Sequence, residues 1–252
     1  MRKIFTLSAI LTLLLASCND ARTPQVVYDD TISDTLTIES VLEDTTKILV
    51  AGMPIHLDST EVLIHPIGWE DIFLIDKYGS RLGSLKKAER VSSSSQYLST
   101  DGSNYISGSM INLIFEDIKS GEKRKLTERV LVIHDVRYLR DVAQKTDKHY
   151  LLYSVIDKDY NRDGKLDGLD MTSYYMSNLD GTNFTKITKD YHYFDTDQLI
   201  LKNNKYYFRT LEDVNQDGAF NKKDKYHYYY IDLSKDGFKP VEYFPLELIS
   251  VE

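Results

Sequence analysis

One cysteine, Cys18, is all the chain has in 252 residues, so no intramolecular disulfide can form. The fold must therefore be held by packing, hydrogen bonds or bound metal. Zinc-type ligand spacing is also missing. The six histidines, His56, His65, His134, His149, His192 and His227, are scattered, and none sits in a recognised metal or catalytic motif. Basic residues are outnumbered, 31 against 39 acidic, giving a net charge of −8. With no clustered basic stripe, that balance argues against a nucleic-acid partner, whose phosphates would repel the surface. Long apolar runs are absent too. The most apolar stretch, Ile4 to Ala16, is shorter than the ~20 residues a membrane-spanning helix needs.

That stretch has another use. Arg2 and Lys3 precede it, and Leu15-Ala16-Ser17-Cys18 closes it. A basic start, a short apolar core and small residues before a cut form a secretory signal. The last four residues resemble a bacterial lipobox, in which the cysteine is lipidated and begins the mature protein. The expected organisation is a signal peptide over 1–17, a lipidated Cys18 with an acidic tether over 18–44, and a domain over 45–252. Between Asn19 and Asp44 there are seven acidic residues and one basic, a composition suited to a self-repelling spacer. Alternating apolar positions from Thr35 to Val41 leave open a short edge strand there. The expected location is the bacterial cell envelope, on the outer membrane or the cell surface.

What is present is most specific in the second half. Asp159-Tyr-Asn161-Arg-Asp163-Gly164-Lys165-Leu166-Asp167-Gly-Leu-Asp170 and Asp213-Val-Asn215-Gln-Asp217-Gly218-Ala219-Phe220-Asn221-Lys-Lys-Asp224 share one pattern. Oxygen side chains fall at positions 1, 3, 5, 9 and 12, a glycine at 6 and an apolar residue at 8. A chain wrapping a hard cation needs this spacing, with the backbone carbonyl of position 7 (Lys165, Ala219) as a further ligand. The glycine supplies the sharp positive-φ turn. Two calcium sites are expected. Both loops end in Asp rather than the longer bidentate Glu, and extracellular modules of this kind bind at roughly 0.1–1 mM, so the sites read as structural rather than sensory. The bland alternative is a pair of polar turns.

About 208 residues follow Asp44, enough for one domain with a sizeable core. Four segments repeat an apolar strand, an Asp or Asn, a turn and a short second strand. They run from Ile72 through Asp76 to Leu85, from Leu113 through Asp117 to Leu126, from Tyr174 through Asn178 to Ile187, and from Tyr229 through Asp232 to Val241. In the first three, the closing apolar residue lies nine positions after the Asp or Asn. Strand-rich runs flank both calcium loops: Tyr150 to Ile156 and Thr172 to Leu179 around the first, Tyr206 to Leu211 and Tyr226 to Leu233 around the second. No flanking helices are evident, so the loops read as insertions into β-hairpins. The first two repeats would make the same connection by turns near His65-Pro66-Ile67-Gly68 and Ser107-Gly108-Ser109. Arg137 to Lys148 reads as a polar loop.

Tyr175-Met-Ser-Asn-Leu-Asp-Gly-Thr-Asn-Phe-Thr-Lys-Ile-Thr188 resembles the blade motif of TolB-type β-propellers. Asp159 to Asp167 resembles the calcium loop of integrin-type FG-GAP repeats and of dockerins. These resemblances imply an all-β, propeller-like fold over about residues 45 to 250 carrying two bound calcium ions. TolB-type propellers commonly have six or seven blades, whereas this chain has room for four, in a closed ring or an open arrangement.

No nucleophile–base pair is legible. Fifteen of the 19 tyrosines lie at or after Tyr138. They offer either an aromatic platform for a protein or glycan partner, or alternating strand faces of which half pack inside. Trp69 reads as a core residue. The expected function is a lipid-anchored, calcium-stabilised binding or scaffold module. The competing reading is an envelope hydrolase acting on glycan or peptide. Asp159→Ala combined with Asp163→Ala is expected to abolish one calcium site and leave the other; a calcium titration in which both disappear would refute independent loops.

Overall fold

The computed structural model describes residues 26–28, 47–57, 60–71 and 104–249. The signal peptide, Cys18, most of the spacer including Thr35 to Val41, and the repeat around Asp76 lie outside the described residues. Among those described, the chain is all-β, with 13 strands in two antiparallel sheets.

The first sheet takes strands β1 (Lys47–Ala51), β2 (Ile55–His56), β3 (Val62–Asp71), β4 (Tyr105–Asp117), β5 (Lys123–Lys125), β6 (Val132–Tyr138), β7 (Tyr150–Ile156), β8 (Ser173–Asn178) and β9 (Thr185–Lys186). The order is β1-β3-β4-β6-β7-β8-β9, with β2 on β3 and β5 on β4. The second sheet is the meander β10 (His192–Ile200), β11 (Lys205–Glu212), β12 (Lys225–Asp232) and β13 (Val241–Tyr243). Four separate blades are not resolved among these residues. Strand β4 joins what the repeats suggested as two units, because its first half pairs with β6 and its second half with β3 and β5.

The repeat is visible as hairpins. Each long strand ends on the expected Asp or Asn, which organises the turn. Asp117 Oδ1 accepts from the backbone N–H of Lys119 (3.0 Å) and Ser120 (2.7 Å), Asn178 Nδ2 donates to Thr182 Oγ1 (2.7 Å), and Asp232 Oδ1 accepts from Ser234 N (3.1 Å). Short side chains that bond the backbone just ahead favour such turns over continued strand. The closing residues Leu126 and Ile187 return their N–H to the carbonyls of Leu113 (2.9 Å) and Tyr174 (2.8 Å), and both side chains are buried. The nine-residue spacing is thus the length of one hairpin.

Two expectations need correction. His65–Gly68 and Ser107–Ser109 are not turns; they lie inside β3 and β4, where the ladder shifts register at Ile67/Gly68 and between Ser107 and Met110. Pro and Gly mark bulges as readily as turns. The segment after Arg137 is not a loop: β6 continues to Tyr138, and the helix α1 (Arg140–Thr146) follows. Leu139, Val142 and Ala143 turn its one apolar face onto the cores, a stripe too short to register as helical periodicity. Trp69 stands in β3 opposite Leu49, half-buried.

Strand β7 is buried on both faces. Leu151, Tyr153 and Val155 join a core with Ile64, Met110, Phe115 and Ile133, whereas Tyr150 and Leu152 join another with Met176 and, from the second sheet, Tyr206, Phe208, Tyr229 and Ile231. This second core is where the sheets meet. Arg137 on β6 also reaches Asp197 on β10, Nη2 to Oδ2 at 2.5 Å, across the same junction.

Gly181 fits the first core tightly. Its φ is +76°, and a Cβ there would stand 2.4 Å from the buried Phe115 ring, while Gly121, at φ +70°, has nothing within 4 Å. Gly121→Ala is expected to lose about 1 kcal/mol from the left-handed backbone alone, and Gly181→Ala about 3 kcal/mol once overpacking is added. Comparing their denaturant midpoints checks the difference.

Candidate functional site

The two 12-residue segments connect antiparallel neighbours: residues 159–170 lie between β7 and β8, and 213–224 between β11 and β12. Their backbones match. Arg162 and Gln216 at position 4 have φ of 63° and 55°, and Gly164 and Gly218 at position 6 have 81° and 77°. Their hydrogen bonds match as well. Asp159 Oδ2 accepts from Gly164 N and Asp213 Oδ2 from Gly218 N, both at 2.8 Å. Asn161 and Asn215 accept from the N–H of Asp163 and Asp217, whose own carboxylates accept from Lys165 and Ala219. At position 12, Asp170 Oδ2 accepts from Asp167 N (3.0 Å) and Asp224 Oδ2 from Asn221 N (2.7 Å). Every side chain expected as a ligand is therefore turned into its loop by a backbone N–H.

The loops differ at position 12. Asp170 Oδ1 takes the N–H groups of Tyr160 (2.7 Å) and Asn161 (3.2 Å), whereas Asp224 Oδ1 is buried with no hydrogen-bond partner among the described residues. Buried carboxylate oxygens are costly to leave unmatched. Asp159 and Asp213 are nearly buried, at 8% and 4% exposed, and Asp170 is 2% exposed. Burial, with Asp159 alongside, raises the Asp170 carboxyl above its ordinary range.

A short piece of the acidic N-terminal segment lies against both loops. Val27 N donates to Tyr160 O (2.8 Å), and Tyr28 Oη donates to Asp213 Oδ2 (2.9 Å), position 1 of the second loop. Val26 packs with Tyr160 and Met171, and Tyr28, Tyr191 and Phe220 close around them. Tyr28 stacks on Tyr191 at 4.9 Å between ring centroids. A Cβ on Gly218 would meet Val26 O at 2.9 Å, so glycine at position 6 makes room for this segment as well as for the turn. Three apolar or aromatic residues in an acidic stretch were the only signal.

Beside the first loop, Asp157 sits at the floor of a cleft of about 450 Å³. Its carboxylate takes Tyr175 Oη (2.5 Å), Lys186 Nζ (2.8 Å) and Ser173 Oγ (2.7 Å), with Arg129 Nη2 at 3.6 Å. Burial alone would raise its pKa; Lys186, Tyr175 and Ser173 outweigh that and hold it below the usual carboxylate range.

A third cluster was not legible in the sequence. His192, Glu212 and His227 come from three adjacent strands and bring one ligating atom each within 4.8 Å of the others. Strand register explains the meeting: His192 stands opposite Glu212, and His227 opposite Thr210, two residues along the same face. His227 Nε2 lies 2.7 Å from Glu212 Oε2 and its Nδ1 lies 2.6 Å from Glu242 Oε1. His192 Nδ1 lies 2.9 Å from Thr210 Oγ1. Burial, with His227 nearby, lowers the His192 pKa to about 4, so this imidazole is neutral at pH 7.

The tyrosines divide by face. Tyr206 and Tyr229 are buried in the core between the sheets. On the opposite face of the second sheet, Tyr207 and Tyr243 have ring centroids 5.7 Å apart, and Tyr228 and Tyr230 lie 6.0 and 6.1 Å from Tyr243. Arg209, paired with Asp195, stands 4.5 Å from the Tyr226 ring. The tyrosines thus divide between the core and the outer face of one sheet. Among the described residues, no helix is long and apolar enough to cross a membrane. No protein-family model matches the chain, no curated protein matches it, and no solved structure matches it.

Removing the buried Asp157 carboxylate leaves Lys186 and Arg129 without their shared anion. Asp157→Ala is expected to cost about 3 kcal/mol, with Asp157→Asn losing less because its carbonyl can still accept from Tyr175. Urea denaturation of the two variants measures both.

Proposed function

We propose that the chain is a lipid-anchored protein of the bacterial cell envelope, attached through Cys18, whose calcium-stabilised domain acts as a non-catalytic binding or scaffold module. The observation that carries this reading is the duplicated loop. Two segments 54 residues apart in sequence repeat one backbone and most of one hydrogen-bond ladder, and the second keeps a buried carboxylate oxygen, Asp224 Oδ1, without a partner among the described residues. Calcium fits that donor set. It takes six to eight oxygen ligands in flexible geometry, and each loop supplies five side chains and one carbonyl.

The mechanism is electrostatic. Without an ion, the carboxylates at positions 1, 5 and 12 of each loop repel one another. A bound cation turns that repulsion into a fixed connection between two strands. Because Val26–Tyr28 touches both loops, their order also decides how the membrane tether leaves the domain. The tyrosine-rich outer face of the second sheet is the surface this reading assigns to a protein or glycan partner, since Tyr offers apolar area with a polar tip. The propeller-like arrangement belongs to the same reading. Hairpins β4–β5, β8–β9 and β12–β13 repeat one design, and β10–β13 has the four-stranded meander form of a blade.

The second reading, an envelope hydrolase acting on glycan or peptide, draws support from one observation, the convergence of His192, Glu212 and His227.

A thermal melt of the soluble chain from Ala21 onward, in EDTA and across a calcium titration, tests the main reading. A calcium-specific rise in Tm that saturates below a few millimolar is expected. An unchanged Tm, with no calcium found by elemental analysis, would reduce the loops to polar turns and overturn the proposed role of the ion.

A further inference from the structure

We propose that His192, Glu212 and His227 bind one divalent transition-metal ion of the zinc class, at a site separate from the two oxygen-lined loops. Ligand chemistry separates the two kinds of site. Imidazole nitrogen suits zinc, copper, cobalt and nickel, whereas calcium takes oxygen almost alone. Two histidines and one carboxylate are a ligand set that zinc uses when it keeps a position open.

The surroundings are those of ligating histidines. A metal-bound imidazole usually donates its second N–H to a carboxylate or another fixed oxygen, which sets the tautomer and the ring orientation. Glu242 Oε1 stands 2.6 Å from His227 Nδ1, and Thr210 Oγ1 stands 2.9 Å from His192 Nδ1. Each therefore leaves Nε2 as the nitrogen for the ion. Glu242 and Thr210 are positioning residues rather than ligands.

The contacts of His227 point the same way. Carboxylate oxygens face both of its nitrogens, at 2.6 and 2.7 Å. A neutral imidazole has a single N–H, so one of these contacts opposes a lone pair to an anion unless a second proton or a cation lies between. A metal on Nε2 and Glu212 resolves it. Bonds of about 2.0–2.1 Å in tetrahedral geometry require that contact to widen by roughly half an ångström. Glu212 can supply this movement, because its side chain is 41% exposed while that of His227 is held at 9%.

The fourth position has somewhere to face. His192 and Glu212 both line a cleft of about 290 Å³ that Tyr28, Asp190 and Tyr191 also border. An oxygen ligand from that cleft, water or the carboxylate or carbonyl of a larger molecule, would complete the shell. Glu212 and Asp213 are consecutive, so this site and the second loop would share one strand end while using different ligands.

Cobalt(II), a visible-light reporter of such sites, tests the inference in the wild-type protein with calcium held in excess. The expected result is one cobalt ion per chain with tetrahedral absorption bands, displaced by one equivalent of zinc and not by calcium. His227→Ala and Glu212→Gln are each expected to weaken binding at least 10-fold, and Glu242→Gln by about 10- to 100-fold. Circular dichroism establishes that the variants are folded. Absence of a cobalt spectrum in the wild type would overturn the proposal, and so would bands that persist when His192 and His227 are both replaced by Ala. Because calcium neither creates nor removes the signal, a failure of the calcium reading in the thermal melt leaves this outcome distinct.

Discussion

Strand β7 has to satisfy two cores at once, and much of the architecture follows from that demand. Its alternating side chains go to opposite faces, so Leu151, Tyr153 and Val155 serve the core of the first sheet while Tyr150 and Leu152 serve the core between the sheets. Apolar residues fill six of its seven positions, Ser154 being the exception, so both faces of β7 are largely shut off from solvent. It therefore has to lie in the interior of its sheet, between β6 and β8. The loop that leaves its end begins at a well-anchored point, with Asp157 clamped by Tyr175, Ser173 and Lys186 just before position 1. Strand β11 plays the corresponding part in the second sheet, where Tyr206, Phe208 and Thr210 point inward and the loop starts directly after Glu212.

Placing irregular 12-residue loops on rigid strand pairs makes each loop a local unit whose shape depends little on the rest of the domain. The hydrogen bonds shared by the two loops at positions 1, 3, 5 and 12 support that view. Their setting is not identical. The first loop satisfies its position-12 carboxylate with backbone N–H groups, and the second engages Tyr28 at position 1 while leaving Asp224 Oδ1 unmatched. The Val26–Tyr28 segment joins the two environments, with Val27 bonded to the first loop and Tyr28 to the second. A segment held between the two loops ties the course of the N-terminal chain to their order.

Within the second sheet, side-chain chemistry separates by face. The inner face ends, beyond its aromatic core, in a rim of His192, Glu212, His227 and Glu242, one on each of four successive strands. The outer face carries Tyr207, Tyr228, Tyr230 and Tyr243 with Arg209. The rim needs four strands in register and the outer group three, so neither shows in any one strand. The outer tyrosines were at least conspicuous as doublets and triplets in sequence, and alternation told that half of each run would turn inward. The rim had no such signal, because its members are separated by 15 or more residues and each alone is an ordinary polar strand end.

Local chemistry was legible in the sequence alone. The loops were legible residue by residue, since their shape is set by side chains bonding backbone within a dozen positions. The hairpins were legible too, down to the return of Leu126 and Ile187, because an Asp or Asn turn and a fixed spacing specify them. The flanking runs Tyr150 to Ile156 and Tyr226 to Leu233 followed from β-branched and aromatic residues, and β7 and β12 lie within one residue of them. Tertiary structure decided everything that depends on pairing between distant strands. That includes the merger of units through β4 and β6, bulges where Pro and Gly suggested turns, and a helix whose single apolar stripe gains meaning only against two cores. It also includes the docking of Val26–Tyr28 and the histidine–glutamate rim. The physical reason is the same in each case. Register across a sheet is fixed by the burial of whole faces, and no short window of sequence contains a whole face.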